Sequence, residues 1–147
     1  MSKSSLRVFL AVAFLLLGCA VAVTEVAMVM ATQRSAPAHL VQIALERPNV
    51  LKGARLNNGS GKAIASYRIG WANVYPNGIE IRRGGLVTVR RGIKPGDTYD
   101  VPDQAIPFNE SAQSVIFLVA EVTFADGCNW DVDIKDIVPE AGFQFSR

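Results

Sequence analysis

The ten residues Val115-Ile-Phe-Leu-Val-Ala-Glu-Val-Thr-Phe124 constrain the fold more than any other stretch of the chain. They form the most apolar segment outside the N-terminus and are dominated by β-branched and aromatic side chains, so they predict a central β-strand. Ile116, Leu118, Ala120, Val122 and Phe124 recur at every second position and are expected to share one apolar face. Glu121 and Thr123 mark where the opposite face emerges into water. Ala125-Asp126-Gly127 then reads as a turn, with Cys128 to Ile134 returning as the hairpin partner. In that partner Asp131 and Asp133 form a wet side and Trp130 and Val132 an apolar one.

The same period of two runs through the preceding residues. Val41, Ile43 and Leu45 share a face, and Leu51 to Leu56 resumes the pattern after Pro48-Asn49. Asn57-Asn-Gly-Ser-Gly61 is a loop by composition, because Asn and Gly accept the positive φ angles that tight turns demand. Ala63 to Tyr75 is a long strand with Tyr67, Ile69 and Trp71 on its core side. Trp71 is therefore expected as a buried anchor rather than a sugar-stacking surface ring. After a turn at Pro76-Asn77-Gly78, residues Ile79 to Arg83 and Leu86 to Arg91 read as a hairpin about Gly84-Gly85. Lys94-Pro95-Gly96-Asp97 carries Pro and Gly at the central positions of a type II turn, with a short strand from Thr98 to Val101 beyond it.

About eight short strands separated by turns imply two packed antiparallel sheets, an all-β sandwich. The expected division is a signal peptide or membrane anchor over 1–31, a linker over 32–39, a β-sandwich domain over 40–138 and a C-terminal tail over 139–147. The runs "NNGSGKAIASYRIGW" (57–71) and "VAEVTFADGCNW" (119–130) resemble exported bacterial immunoglobulin-like domains of unknown function. That resemblance implies an immunoglobulin-like sandwich and transfers no catalytic residue.

Lys3 and Arg7 precede the apolar run Val8 to Leu17, the physical layout of a secretory signal. Export is therefore expected, by one of three routes. Ala20-Val21-Ala22 and Val29-Met30-Ala31 both offer a small-x-small cleavage site, giving mature chains that start at Val23 or Thr32. Leu16-Leu17-Gly18-Cys19 resembles a lipoprotein cleavage box, which would make Cys19 the lipid-modified first residue. An uncleaved helix from Val8 to Ala31 would be long enough to span a bilayer, with Glu25 as its one acidic residue.

The chain carries 15 Lys and Arg against 13 Asp and Glu, and the leader holds only Lys3, Arg7 and Glu25, so the remainder is close to neutral. A near-neutral exported domain excludes nucleic acid as the expected partner. Arg82, Arg83, Arg90 and Arg91 are expected to form one basic patch at the hairpin, while Asp126, Asp131, Asp133, Asp136 and Glu140 gather near the end. The opposed groups can pair within the fold or between molecules. Anionic lipid, an envelope polymer or another envelope protein are the partners such a patch suits, and a solvated edge that discourages sheet-to-sheet association is the bland alternative.

Catalytic chemistry is poorly represented. The only histidine, His39, falls in the linker, so a Ser-His-Asp or Cys-His arrangement lacks its base. Cys128 alone cannot supply a structural zinc site, and Asp131, Asp133 and Asp136 lack the glycine and terminal glutamate of a calcium loop. No cofactor or metal is expected. Asn58-Gly-Ser60 and Asn109-Glu-Ser111 match the glycosylation pattern by chance. The expected function is a non-catalytic exported β-sandwich for binding or assembly at the cell envelope. The competing class is a small polysaccharide hydrolase acting through a carboxylate pair that the sequence does not single out.

Overall fold

The computed structural model of the chain describes residues 27–46, 50–106, 111–133 and 137–139. Cys19 and the candidate leader helix up to residue 26 lie outside them, as do Asn109 and the tail from residue 140. Ten strands run through the described residues: β1 Ala27–Gln33, β2 Ala38–Glu46, β3 Val50–Asn58, β4 Ile64–Tyr75, β5 Gly78–Ile93, β6 Thr98–Asp100, β7 Gln104–Ala105, β8 Ser114–Phe124, β9 Asn129–Asp131 and β10 Ile137–Pro139. The larger sheet has the order β10-β1-β8-β4-β5, with β9 also on β8. The smaller has the order β2-β3-β6, with β7 also on β3. The domain is thus all-β, with two packed sheets. The β1–β8 pair is parallel, whereas every other strand pair is antiparallel.

β8 is the inner strand that the apolar run requires, with β4 along one edge and β1 and β9 in succession along the other. Between the sheets, Leu51, Ala54 and Leu56 of β3 meet Tyr67, Ile69 and Trp71 of β4 and Val115, Phe117, Val119 and Val122 of β8. Trp71 is 4% exposed, which settles it as a core anchor. Each large apolar side chain buried in this layer contributes about 1.5–3 kcal/mol relative to exposure. A second apolar cluster, Ala72, Val74, Ile116, Leu118 and Ala120, lies on the other face of the larger sheet.

The two clusters correct the face expected for β8. Ile116, Leu118 and Ala120 point to the outer cluster, but Val122 and Phe124 belong with the interlayer core. The cause is a bulge: opposite Arg68 and Ile69 of β4 stand Glu121 and Val119, so Ala120 is an extra residue. One extra residue reverses which face each later side chain takes. Similar irregularities in β2 put Leu40 and Ile43 against the core and leave Val41 exposed. In the returning strand Trp130 packs into the interlayer core, while Val132 joins the outer cluster after its N–H bonds to the Ala120 carbonyl, 3.0 Å. Trp130 and Val132 therefore do not share a side.

The expected hairpin at Gly84-Gly85 does not form. β5 is one 16-residue strand lying along β4, and the two glycines are its bulge: Arg68 and Gly70 of β4 face Leu86 and Arg83. A Cβ at Gly84 would come within 2.7 Å of the Ile69 carbonyl and 2.8 Å of Gln104 Oε1, so the close approach there requires glycine. The turns at Pro76-Asn77 and at Pro95-Gly96 form as expected. In the second, Asp97 N–H bonds to the Lys94 carbonyl and Gly96 takes φ 82°.

β1 and the first residues of β2 occupy the stretch whose composition suggests the end of a leader and a linker. Ala27 to Met30 pair with Ser114 to Phe117, and Ala31 to Gln33 then pair with β10. The side chain of Gln33 fills the gap along the edge of β8 between the residues paired with β1 and those paired with β9. Its Nε2 donates to the Val119 carbonyl (2.8 Å) and its Oε1 accepts from the Val119 N–H (2.7 Å), as a neighbouring strand would.

Candidate functional site

The stretch Glu121 to Asp133 concentrates Cys, Asn, Trp and three Asp, and its local geometry is that of a turn. Gly127 N–H bonds to the Phe124 carbonyl (3.0 Å), Phe124 N–H bonds to the Cys128 carbonyl (2.9 Å), and Gly127 takes φ 85°. Asp126 accepts from its own turn at the Cys128 N–H (3.0 Å) and from Lys62 Nζ (2.6 Å). The same ammonium lies 3.6 Å from Cys128 Sγ and 5.6 Å from the centre of the Phe124 ring. Cys128 is exposed in this turn rather than packed in a strand. Among the described residues no group of three or more His, Cys, Asp or Glu is placed to hold a metal ion.

The hydrogen bond from Lys62, followed by that from the Cys128 N–H, holds the Asp126 carboxyl down at about 2, against an ordinary 3.8. Its partner Lys62 is raised above 10.5, mainly by the same hydrogen bond and the Asp126 charge. The stability that Asp126 contributes is present above pH 3.8 and lost as pH falls through about 2. The contribution of Lys62 is present below 10.5 and lost at higher pH. The pair is about half exposed, so salt screens it. Titration of the Asp126 side chain by NMR should show a midpoint near 2 that moves toward 3.8 in Lys62→Met. A parent midpoint already at 3.8 would refute the contact.

Because β5 is continuous, the four arginines do not form one patch. Arg83 and Arg90 are seven residues apart on a strand, about 23 Å at an extended rise. Arg82 pairs with Glu80 two positions earlier on the same face. Arg83 reaches Asp131 at 2.8 Å and Glu121 at 3.8 Å, and Glu121 also accepts from Arg68 Nε at 3.0 Å. The acidic returning strand thus neutralises the basic one within the fold, as the opposed charge groups allowed. Glu121 and Asp131, opposite each other on β8 and β9, are carboxylates that the fold brings together, and Arg83 bridges them.

Arg90 and Arg91 are different. Both are exposed in the irregular part of β5 between Thr88 and Ile93, and among the described residues neither has a carboxylate partner. β5 is the edge of its sheet, so the two guanidiniums project from an unpaired strand edge.

Sequence reasoning missed two residues that organise the structure. Asn58, in the loop-like run, is fully buried and uses both ends of its amide. Nδ2 donates to the Lys62 and Ile93 carbonyls, both at 2.8 Å, and Oδ1 accepts from Ser60 N–H (3.0 Å) and Ser60 Oγ (2.7 Å). A buried side chain with no free amide hydrogen cannot carry a glycan in the folded state, so the Asn58 sequon is structural. Gln33 is the second, and nothing in the sequence separates it from the polar residues around it. Tyr67 Oη, Trp71 Nε1, Asn73 Oδ1, Gln104 Nε2 and Ser114 Oγ are buried and have no hydrogen-bond partner among the described residues. Burial pushes the Tyr67 hydroxyl well above its ordinary value, so it stays protonated.

The chain matches no protein-family model, and no curated protein or solved structure matches it.

Proposed function

We propose that this is an exported, non-catalytic β-sandwich domain that binds an anionic polymer of the cell envelope through the Arg90 and Arg91 end of β5. The observation that carries the reading is the contrast along one strand: Arg82 and Arg83 are neutralised by Glu80, Glu121 and Asp131, whereas Arg90 and Arg91 stand exposed on a bulged edge. Unpaired charge on an accessible edge is available to a partner without breaking an internal contact. The two-sheet architecture supports an immunoglobulin-like assignment, and the basic start of the leader supports export.

Strand direction favours a polymer over the lipid headgroups of a membrane that holds the leader. Ala27 pairs with Ser114 and lies at the same end as the Tyr75–Gly78 turn, whereas Thr88 and Ile93 pair with Ser66 and Ile64 at the opposite end. Eight to ten strand residues separate the two ends, about 30 Å. A chain tethered through its N-terminus would turn Arg90 and Arg91 away from that membrane.

The test uses the full chain, an immobilised acidic polysaccharide and phosphatidylglycerol vesicles. R90Q/R91Q should weaken retention on the polysaccharide roughly tenfold at low salt, since two exposed charge contacts are worth up to about 1 kcal/mol each. R82Q/R83Q should change it less than about twofold, and the difference should vanish at high salt. Equal retention of R90Q/R91Q and parent would sink the binding role and leave the arginines as edge protection. Vesicle binding without polysaccharide binding would transfer the partner to lipid. Turnover of the polysaccharide, lost in Glu121→Gln, would replace the binding reading with a hydrolase.

A further inference from the structure

We infer that the processed chain keeps the whole of β1, so that the Ala31–Thr32 bond is not the point at which the leader is removed. The inference rests on the exported reading and deepens it by choosing between the two small-x-small cleavage sites. Cutting after Ala31 would remove Ala27 to Ala31, including all four residues that pair with Ser114 to Phe117 and the one opposite Pro139. β8 would then present Ser114 to Phe117, which are buried in the intact sheet, as an unpaired and mostly apolar edge, the kind of edge that pairs with other chains. Gln33 would become the second residue of the chain, where termini fray, and its two bonds to the Val119 main chain would lose their anchor. Ala31 also packs against the outer apolar cluster that contains Ile116 and Leu118.

A signal peptidase meets the chain before it folds, so the sheet cannot shield the bond. The constraint acts afterwards: a chain cut at Ala31 cannot complete the larger sheet and does not accumulate. Cleavage at Ala22–Val23 leaves β1 intact, as does lipidation at Cys19. β1 likewise limits any retained membrane helix to residues 8–26, which is about 28 Å of helix and enough to span with Glu25 at its end.

Two measurements test this. The full chain is expressed with its own leader in an exporting bacterium, and the mass of the cooperatively melting product is determined. A start at Val23, at a diacylated Cys19 or further upstream is expected, and a Thr32 start in folded protein would overturn the inference. Independently, a chain beginning Met-Thr32 is compared with one beginning Met-Val23, both made in the cytoplasm. The shorter chain should melt at least about 10 °C lower or without a cooperative transition. Melting within about 2 °C of the longer chain would show that β1 is dispensable and overturn the inference. If the full chain remains unprocessed in the cytoplasm, the exported reading fails, and the second comparison still decides the role of β1.

Discussion

Replacing Asn58 with alanine should lower the melting temperature of the domain by about 15 °C. The side chain is completely buried and ties its own loop, through Ser60 and Lys62, to the end of β5 through Ile93, which is remote in the chain. Its backbone does the same work, because Asn58 N–H bonds to the Asp97 carbonyl and Gly96 N–H bonds to the Asn58 carbonyl. Alanine removes four hydrogen bonds and leaves the Ile93 carbonyl without its side-chain donor and the Ser60 N–H without its acceptor. A buried polar group stripped of its partner costs about 1–3 kcal/mol, so a total near 3 kcal/mol follows before any cavity is counted. For a domain of this size each kcal/mol moves the midpoint by about 4–8 °C. Asn58→Asp separates the two ends of the amide. It retains the acceptor for Ser60 but turns carboxylate oxygens toward the Lys62 and Ile93 carbonyls, so at neutral pH it should be at least as damaging as alanine. A midpoint within about 3 °C of the parent for either variant would mean that the loop holds its shape without the amide.

Asn58 also marks where the sequence stops being readable. Of the run Asn57 to Gly61 only Gly59 to Gly61 form a loop, because β3 continues through Asn57 and Asn58, and composition cannot say that one of these two adjacent asparagines is sealed inside while Asn57 remains partly exposed. Strand positions were legible because β-branched and aromatic residues alternate between turn residues: β3, β4, β6 and β8 lie where the pattern places them. Faces were less legible, since each bulge adds a residue that the alternation does not reveal. Ala120 hides one, because alanine suits either face of β8. Gly84 and Gly85 hide another, because two glycines between apolar runs satisfy the requirements of a hairpin loop and of a bulge equally well.

The charge pattern shows the same division. The concentration of arginines in β5 and of acids after Phe124 is visible in the sequence, and their pairing through Arg83, Glu121 and Asp131 follows once β8 and β9 form a hairpin. Which arginines remain unpaired depends on whether the chain reverses at Gly84, and that is decided by the length of β4. Its twelve residues offer a template along which β5 can continue. β1 was hidden for a different reason. Ala27-Met-Val-Met-Ala31 continues the apolar composition of the leader, and a short apolar run does not announce whether it will be a strand, a buried helix or part of a signal.

Gln33→Leu should destabilise the domain by about 2–5 kcal/mol, a large share of the 5–15 kcal/mol that holds a typical domain together. Leucine is one bond shorter than glutamine but apolar and of similar bulk, which suits a site that is 3% exposed, so the loss of packing is small beside the loss of the hydrogen bonds. Without the amide, the Val119 N–H and carbonyl lose the partners that Gln33 supplies on that edge of the sheet. β1 pairs with β8 only as far as Phe117, and β9 begins its pairing at Glu121. Each stranded main-chain group costs about 1–3 kcal/mol. Amide hydrogen exchange should locate the damage, with Val119 losing protection more than Ile69 on the neighbouring strand. Gln33→Glu then gives a signature that a packing defect cannot. A protonated carboxyl can both donate to the Val119 carbonyl and accept from its N–H, whereas the ionised form can only accept. Burial favours the neutral form, so the folded state raises the value of the new carboxyl above that of the unfolded chain. Its stabilising contribution is fully present below the unfolded value, about 4.3, and is lost as pH rises through the folded one. The glutamate variant should therefore lie closer to the parent at pH 4 than at pH 7, while the leucine variant keeps the same deficit at both. A glutamate variant with the same deficit at both pH values would show that Val119 does not depend on the side chain at position 33.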